Sequence, residues 1–108
     1  MEVKELISAI VKNGEWYGKK FDVEIDKDFA AYNLVKEIGQ FAEATLIDQK
    51  RVMDSKKLDP VAVKDLMTQE LVDIVALAII NADLHGIDLE KGLMDKWINK
   101  TGSWLGKD

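Results

Sequence analysis

The sequence predicts an all-α protein, an antiparallel bundle of about four helices in a single domain spanning residues 1–108. Apolar residues recur at intervals of three and four over most of the chain, which is typical of helices that bury one face. The segments between these periodic stretches are short, as in helical bundles. At 108 residues the chain is long enough for one compact domain and too short for two ordinary ones.

The first predicted helix covers residues 3–11, where five aliphatic residues fall at helical spacing. Asn13 and Gly14 follow and are typical of a helix C-terminus, so we expect the helix to end there. Residues 15–25 hold clustered aromatic residues and a glycine, and we interpret them as a loop. Alternation over residues 21–25 also permits one short strand, although a lone strand has no partner to pair with.

Three further helices follow from their N-terminal caps. Asp26 can cap a second helix over residues 27–53, and Asp59 with Pro60 predicts the start of a third helix over residues 61–85. The third helix is apolar nearly all the way round between residues 71 and 80, so we expect it to be buried on several sides and to reach a subunit interface. Asp88 can cap a fourth helix over residues 89–99. In the tail, Trp104 and Leu105 are expected to dock on the rest of the protein.

Composition excludes several classes of function. The net charge of -5 argues against a nucleic-acid partner, because binding to a phosphate backbone usually requires a basic stripe. The chain has no cysteine, so it forms neither a disulfide framework nor a thiolate zinc site. The apolar run 74–80 is far shorter than a membrane span, and residues 1–6 do not resemble a signal peptide. We therefore expect a cytoplasmic protein with no membrane partner.

Two short polar clusters carry the chemistry. Glu37 and Gln40 are three residues apart on the second helix, as are Glu70 and Asp73 on the third, so each pair shares one helix face. Asp73 stands between apolar neighbours, where an uncompensated carboxylate is costly. Either a carboxyl group is protonated or a cation is shared. Mg²⁺, with Mn²⁺ as the alternative, prefers such oxygen ligands and often serves a phosphate-bearing substrate.

Four segments together resemble a known family: residues 37–44, 69–78, 85–91 and 96–100 are similar to the MazG-like, all-α nucleoside triphosphate pyrophosphohydrolases, which include the helical dCTP pyrophosphatases. The resemblance implies Mg²⁺-dependent hydrolysis of a nucleoside triphosphate to the monophosphate and pyrophosphate by water, in a homodimer or homotetramer. It also implies that Glu37, Glu70 and Asp73 hold the metal and that Glu37 or Glu70 accepts the proton of the attacking water.

The sequence departs from the family at the fourth ligand position, where Gln40 replaces an acid. An amide still offers a carbonyl oxygen, but one negative charge is lost. Glu43 could compensate only in part, because six residues rotate it off the face of Glu37. Three alternatives follow: an active enzyme with altered metal use, a weak enzyme, or a helical module that binds nucleotides or other partners without catalysis.

The expected substrate contacts are basic, amide and aromatic side chains. Lys96, Asn99 and Lys100 resemble the family's lysine and asparagine positions near the phosphates and sugar, although a basic last turn is also favoured by the helix dipole alone. Trp16 and Tyr17 are candidates for stacking on the base.

Overall fold

The computed structural model describes residues 1–99 and is helical almost throughout. Its helices are α1 (Val3–Phe21), α2 (Lys27–Asp48), α3 (Pro60–Leu84) and α4 (Leu89–Leu93). A 3-10 turn, Asp54–Lys56, lies in the connection between α2 and α3, and a π-helical segment, Met94–Ile98, continues α4. No strand occurs in this part of the chain, so the predicted all-α fold is confirmed. The expected docking of Trp104 and Leu105 lies outside the described residues.

Helix α1 is longer than predicted, because it does not end at Gly14 but continues to Phe21. The predicted loop over residues 15–21 is therefore wrong. Gly14 instead marks a close approach to α3: a Cβ atom there would lie 3.1 Å from Cδ1 of Ile80. The helix ends at Asp22, whose φ of 53° is left-handed and whose N–H donates to the carbonyl of Gly18.

Helices α2 and α3 form an antiparallel hairpin. The side-chain amide of Asn81, near the end of α3, donates to the carbonyl of Ala30, near the start of α2, at 3.0 Å. Both helices begin at the predicted caps, since Asp26 accepts from the N–H of Phe29 at 2.8 Å and Asp59 accepts from the N–H of Ala62 at 2.9 Å. The predicted bounds of α3 are confirmed to within one residue at each end.

Helix α2 ends at Asp48, five residues before the predicted end at Met53. Lys50 has a left-handed φ of 58°, and the N–H of Arg51 donates back to the carbonyl of Leu46 at 2.8 Å. This pattern closes the last turn of a helix and turns the chain away from the helix axis. The sequence did not predict this helix end, because the left-handed residue that ends the helix is a lysine rather than the usual glycine.

A single chain buries few of its apolar side chains. Among residues 1–99, six apolar residues are buried, three of them alanines, whereas twenty-one large apolar residues are exposed. Leu71, Val72 and Val75 are among the exposed residues, so the prediction that α3 is buried on several sides is wrong for the single chain. Within the described part, no helix combines the length and apolar character needed to cross a membrane.

Candidate metal centre

The antiparallel pairing of α2 and α3 brings the two polar clusters together. Three carboxylates meet at this point, because one oxygen each from Glu37, Glu70 and Asp73 lies within 4.8 Å of the other two. The spacing of three residues within each cluster places its members on one face, and the hairpin register sets that face against the other cluster. The four positions expected to form a metal site therefore converge in the folded chain.

Gln40 lies between the two glutamates. With its amide nitrogen facing the carboxylates, the orientation that their hydrogen bonding requires, it donates to Glu37 Oε2 at 2.8 Å and to Glu70 Oε2 at 3.0 Å. The two N–H donors of Gln40 thus partly offset the negative charge of the two glutamates. The same amide can present its carbonyl oxygen instead after a half turn about its last torsion.

The charges of the cluster are poorly balanced. Lys36 forms an ion pair with the cluster, with its Nζ 3.8 Å from Glu37 Oε1. The pKa of Glu70 is raised, first by a hydrogen bond that its protonated form makes to Glu37, then by burial and by repulsion from Glu37 and Asp73. The pKa of Asp73 is also raised, first by desolvation and then by Glu37. In both cases Lys36 opposes the shift. The metal-free cluster therefore favours holding protons.

Burial within the cluster differs from the sequence-based expectation. Glu37 is the most buried of the three acids, and 12% of its side chain is exposed. Asp73, which its apolar neighbours led us to place in the most buried part of α3, is exposed in the single chain. Its neighbours Leu71 and Val72 are exposed as well, so this part of α3 is not covered in the single chain.

The donor set suits a hard divalent cation. All four groups offer oxygen, and Mg²⁺ binds oxygen at about 2.0–2.1 Å, which puts opposite ligands at about 4.2 Å from each other. Neighbouring ligands in an octahedral shell are about 2.9 Å apart, so carboxylate oxygens that lie within 4.8 Å of one another would have to draw closer together to hold Mg²⁺. Because two charges of the three carboxylates remain after the pair with Lys36, a divalent cation would neutralise the cluster.

A groove runs from the acidic cluster between α1, α2 and α3. It encloses about 440 Å³, and Glu37, Lys36 and Asp73 form one end. Its walls combine apolar side chains, such as that of Phe29, with polar side chains, such as that of Asn33. The residues that α1 contributes to the lining are Ile10, Asn13, Gly14 and Tyr17. A volume of this size is in the range of small-molecule sites.

Of the predicted substrate contacts, Tyr17 is the one that the structure places in the groove. Trp16 lies on another side of α1, where Lys20 Nζ is 4.8 Å from its ring centroid. Lys96 and Asn99 belong to the segment after α4 and do not line the groove, while Lys100 lies outside the described residues. Glu43 is 3.8 Å from Lys56 Nζ, away from the three clustered acids.

Sequence reasoning missed three polar residues of this region: Asn13, Asn33 and Lys36. Asn33 precedes Glu37 by one helical turn, so helical spacing alone was sufficient to place it on the same face. Asn13 gives no such signal, because its sequence position is typical of a helix C-terminus. Lys36 is adjacent to Glu37, and its long side chain reaches back to the carboxylate.

The fold and this site define an all-α protein with a carboxylate-rich site suited to a cation. No protein-family model matches the chain. Curated proteins and solved structures likewise include no significant match.

Proposed function

We propose that this protein is a Mg²⁺-dependent nucleoside triphosphate pyrophosphohydrolase that releases a nucleoside monophosphate and pyrophosphate. The observation that carries the proposal is the convergence of Glu37, Glu70 and Asp73 within 4.8 Å, with Gln40 hydrogen-bonded to both glutamates. The resemblance of residues 37–44 and 69–78 to the MazG-like enzymes supports it. Clearance of unwanted nucleotides in a reducing cytoplasm suits a chain without cysteine.

The carboxylates of the cluster have two roles in this proposal. Glu37, Glu70, Asp73 and the Gln40 carbonyl would hold the cation, which, when bound, supplies positive charge to the phosphates. Glu37 or Glu70 takes a proton from water as the water oxygen bonds to the α-phosphorus. The bond from the α-phosphorus to the bridging oxygen breaks, and pyrophosphate leaves. The raised pKa of Glu70 strengthens its carboxylate as a base.

The groove offers a place for the rest of the nucleotide. Its acidic end with Lys36 suits metal-bound phosphates, and its aromatic and apolar walls suit a base, with Tyr17 at the α1 side. Neither Trp16 nor Lys96 is among the residues that line this groove.

A second subunit is part of the proposal. Val35 and Ile38 on α2 and Leu71, Val72 and Val75 on α3 are exposed large apolar residues on the two helices that carry the acids. Burying such a surface favours association at roughly 25 cal/mol per Å². We therefore propose a homodimer or homotetramer in which these helices extend the small core of the single chain.

One observation favours a second candidate function, a nucleotide-binding module without catalysis. Gln40 stands where the family has an acid, and its two hydrogen bonds stabilise the acidic cluster without a metal. The binding module and the enzyme share the same groove. They differ in whether three carboxylates and one amide support hydrolysis.

The deciding experiment measures pyrophosphate release from a panel of canonical and modified nucleoside triphosphates with Mg²⁺. We expect release that requires metal and that Glu70→Gln abolishes. Glu43→Gln is the matched control, because it removes the same charge from α2–α3 at a residue paired with Lys56, and it should leave the rate unchanged. Binding of a non-hydrolysable nucleotide without pyrophosphate release supports the module instead, and absence of both binding and release rejects both functions.

A further inference from the structure

Lys36 is the only basic residue that lines the groove beside the acidic cluster in the part of the chain that the structure describes. It lies at the same end of the groove as Glu37 and Asp73. The rest of the lining consists of apolar side chains, two asparagines, a tyrosine and a glycine. A ligand in this groove that carries phosphates therefore meets one cationic side chain, and that side chain stands beside the candidate cation site.

The ammonium group of Lys36 is close to the acids but is not held by them. Its Nζ atom lies 3.8 Å from Glu37 Oε1, which is longer than the about 2.7–2.9 Å of a hydrogen bond between an ammonium group and a carboxylate. The Lys36 side chain is 59% exposed, whereas that of Glu37 is 12% exposed. The N–H donors of this flexible side chain can therefore turn from Glu37 to another anion.

The positive charge of Lys36 acts on a cation and on phosphates with opposite signs. It reaches beyond Glu37, because Lys36 opposes the rise in the pKa of both Glu70 and Asp73. A divalent cation held by these carboxylates is repelled by the ammonium group, whereas the phosphates of a nucleotide are attracted to it. Lys36 therefore weakens the binding of a free cation and strengthens that of a cation that arrives with phosphates.

We propose that Lys36 binds the phosphates of the nucleotide and thereby couples nucleotide binding to cation binding. The ammonium group turns away from Glu37 and donates to non-bridging phosphate oxygens, while the cation occupies the carboxylates. Lys36 is then a substrate-binding residue that discriminates against the metal alone. This inference rests on the proposed function, because it assigns a further role at the same site.

The test compares Lys36→Met with the natural chain in two calorimetric titrations. The first uses Mn²⁺ alone, and the second uses the α,β-imido analogues of dATP, dCTP, dGTP and dTTP in excess Mg²⁺. We expect Mn²⁺ alone to bind about fivefold more tightly to Lys36→Met, because one repulsive charge within about 6 Å of the cation is removed. The analogue that the natural chain binds best should bind at least about tenfold less tightly, since hydrogen bonds to charged groups are among the stronger ones.

Three further variants serve as controls. Lys36→Gln should repeat both changes, because it also removes the charge, and Lys36→Arg should stay within about threefold of the natural chain in both titrations, because it retains the charge. Lys27→Met removes an exposed lysine at the start of α2, about 13 Å along the helix axis from Lys36. It should change each affinity by less than about twofold at physiological ionic strength.

The outcomes separate this inference from the proposed function. If the natural chain binds an analogue and Lys36→Met binds it equally well or better, or if Lys36→Met does not bind Mn²⁺ more tightly, the role of Lys36 is overturned and the proposed function stands. If the natural chain binds none of the analogues, both are overturned. Binding of an analogue without pyrophosphate release from the natural nucleotides rejects hydrolysis alone, and the two titrations still decide the role of Lys36.

Discussion

Substituting Gln40 by glutamate tests the acidic cluster most directly. The change replaces an amide nitrogen 2.8 Å from Glu37 Oε2 and 3.0 Å from Glu70 Oε2 with a fourth carboxylate. Two hydrogen bonds are lost and two repulsive pairs appear. At about 3 Å each pair repels by about 1.4 kcal/mol even at the dielectric constant of water. At a pH where all of these carboxyl groups are ionised, the metal-free protein should therefore lose roughly 3 kcal/mol of stability, a fall of about 10 °C or more in Tm.

A divalent cation should reverse the sign of this effect. One added negative charge at about 4 Å from a doubly charged ion contributes about 2 kcal/mol of attraction in water, which corresponds to roughly thirtyfold tighter binding. Gln40→Glu should thus melt at a lower temperature than the natural protein without metal and gain more in Tm when Mg²⁺ or Mn²⁺ is added.

Calorimetric titration with Mn²⁺ and thermal melts with and without Mg²⁺ provide the measurements. Gln69→Glu is the matched control, because it makes the same substitution at an exposed neighbour of Glu70 on α3. It should shift both quantities much less. Unchanged metal affinity together with unchanged metal-free stability in Gln40→Glu would show that position 40 does not share a cation site with the three acids.

Two further predictions concern pH and packing. The pKa values of Glu70 and Asp73 are raised, so both groups bind protons more tightly in the fold than in the unfolded chain, and the stability that they contribute to the metal-free protein is lost as pH rises through those pKa values. Since metal binding requires both carboxylates without their protons, the gain in Tm on adding Mg²⁺ should grow between about pH 5 and pH 8, and a gain that is constant over this range contradicts the argument. Gly14→Val should destabilise the fold by about 1–3 kcal/mol in urea unfolding, because its Cβ would lie 3.1 Å from Ile80 Cδ1. Gly39→Ala, also within a helix but with open space at the Cβ position, should stabilise it by about 0.5–1 kcal/mol, and equal effects at the two positions would refute the contact.

The sequence was sufficient to predict what local rules decide. Asp26, Asp59 and Asp88 all cap the helices they were expected to cap, because an N-terminal cap needs only one side chain and the next turn of backbone. The continuation of α1 through Gly14 is different in kind. Gly14 lies against Ile80, which is distant in sequence, and a contact of this kind leaves no local signal.

In the candidate site, too, some features follow from local sequence and others depend on contacts between distant parts of the chain. The spacing of the two clusters predicted which residues share a face, but convergence of Glu37 with Glu70 and Asp73 depends on the register between α2 and α3. The sequence implied that register only through the resemblance to a family. The shape of the groove was not predicted, since its α1 wall includes Tyr17 only because α1 extends past Gly14.

The hydrogen bonds of Gln40 suggest a physical consequence of having an amide where the MazG-like enzymes, which the sequence resembles, have a fourth acid. A fourth glutamate would add repulsion to a cluster whose acids already have raised pKa values, so such a site would depend strongly on its metal. The amide of Gln40 instead donates to Glu37 and Glu70 in the absence of metal and, turned by half a revolution, offers an oxygen when a cation is bound. An amide in place of the acid therefore lowers the affinity for a cation, and its hydrogen bonds stabilise the arrangement of the acids when no metal is bound. Under the proposed function, such a site would favour reversible metal use, with the metal arriving together with a phosphate-bearing ligand that supplies the missing negative charge.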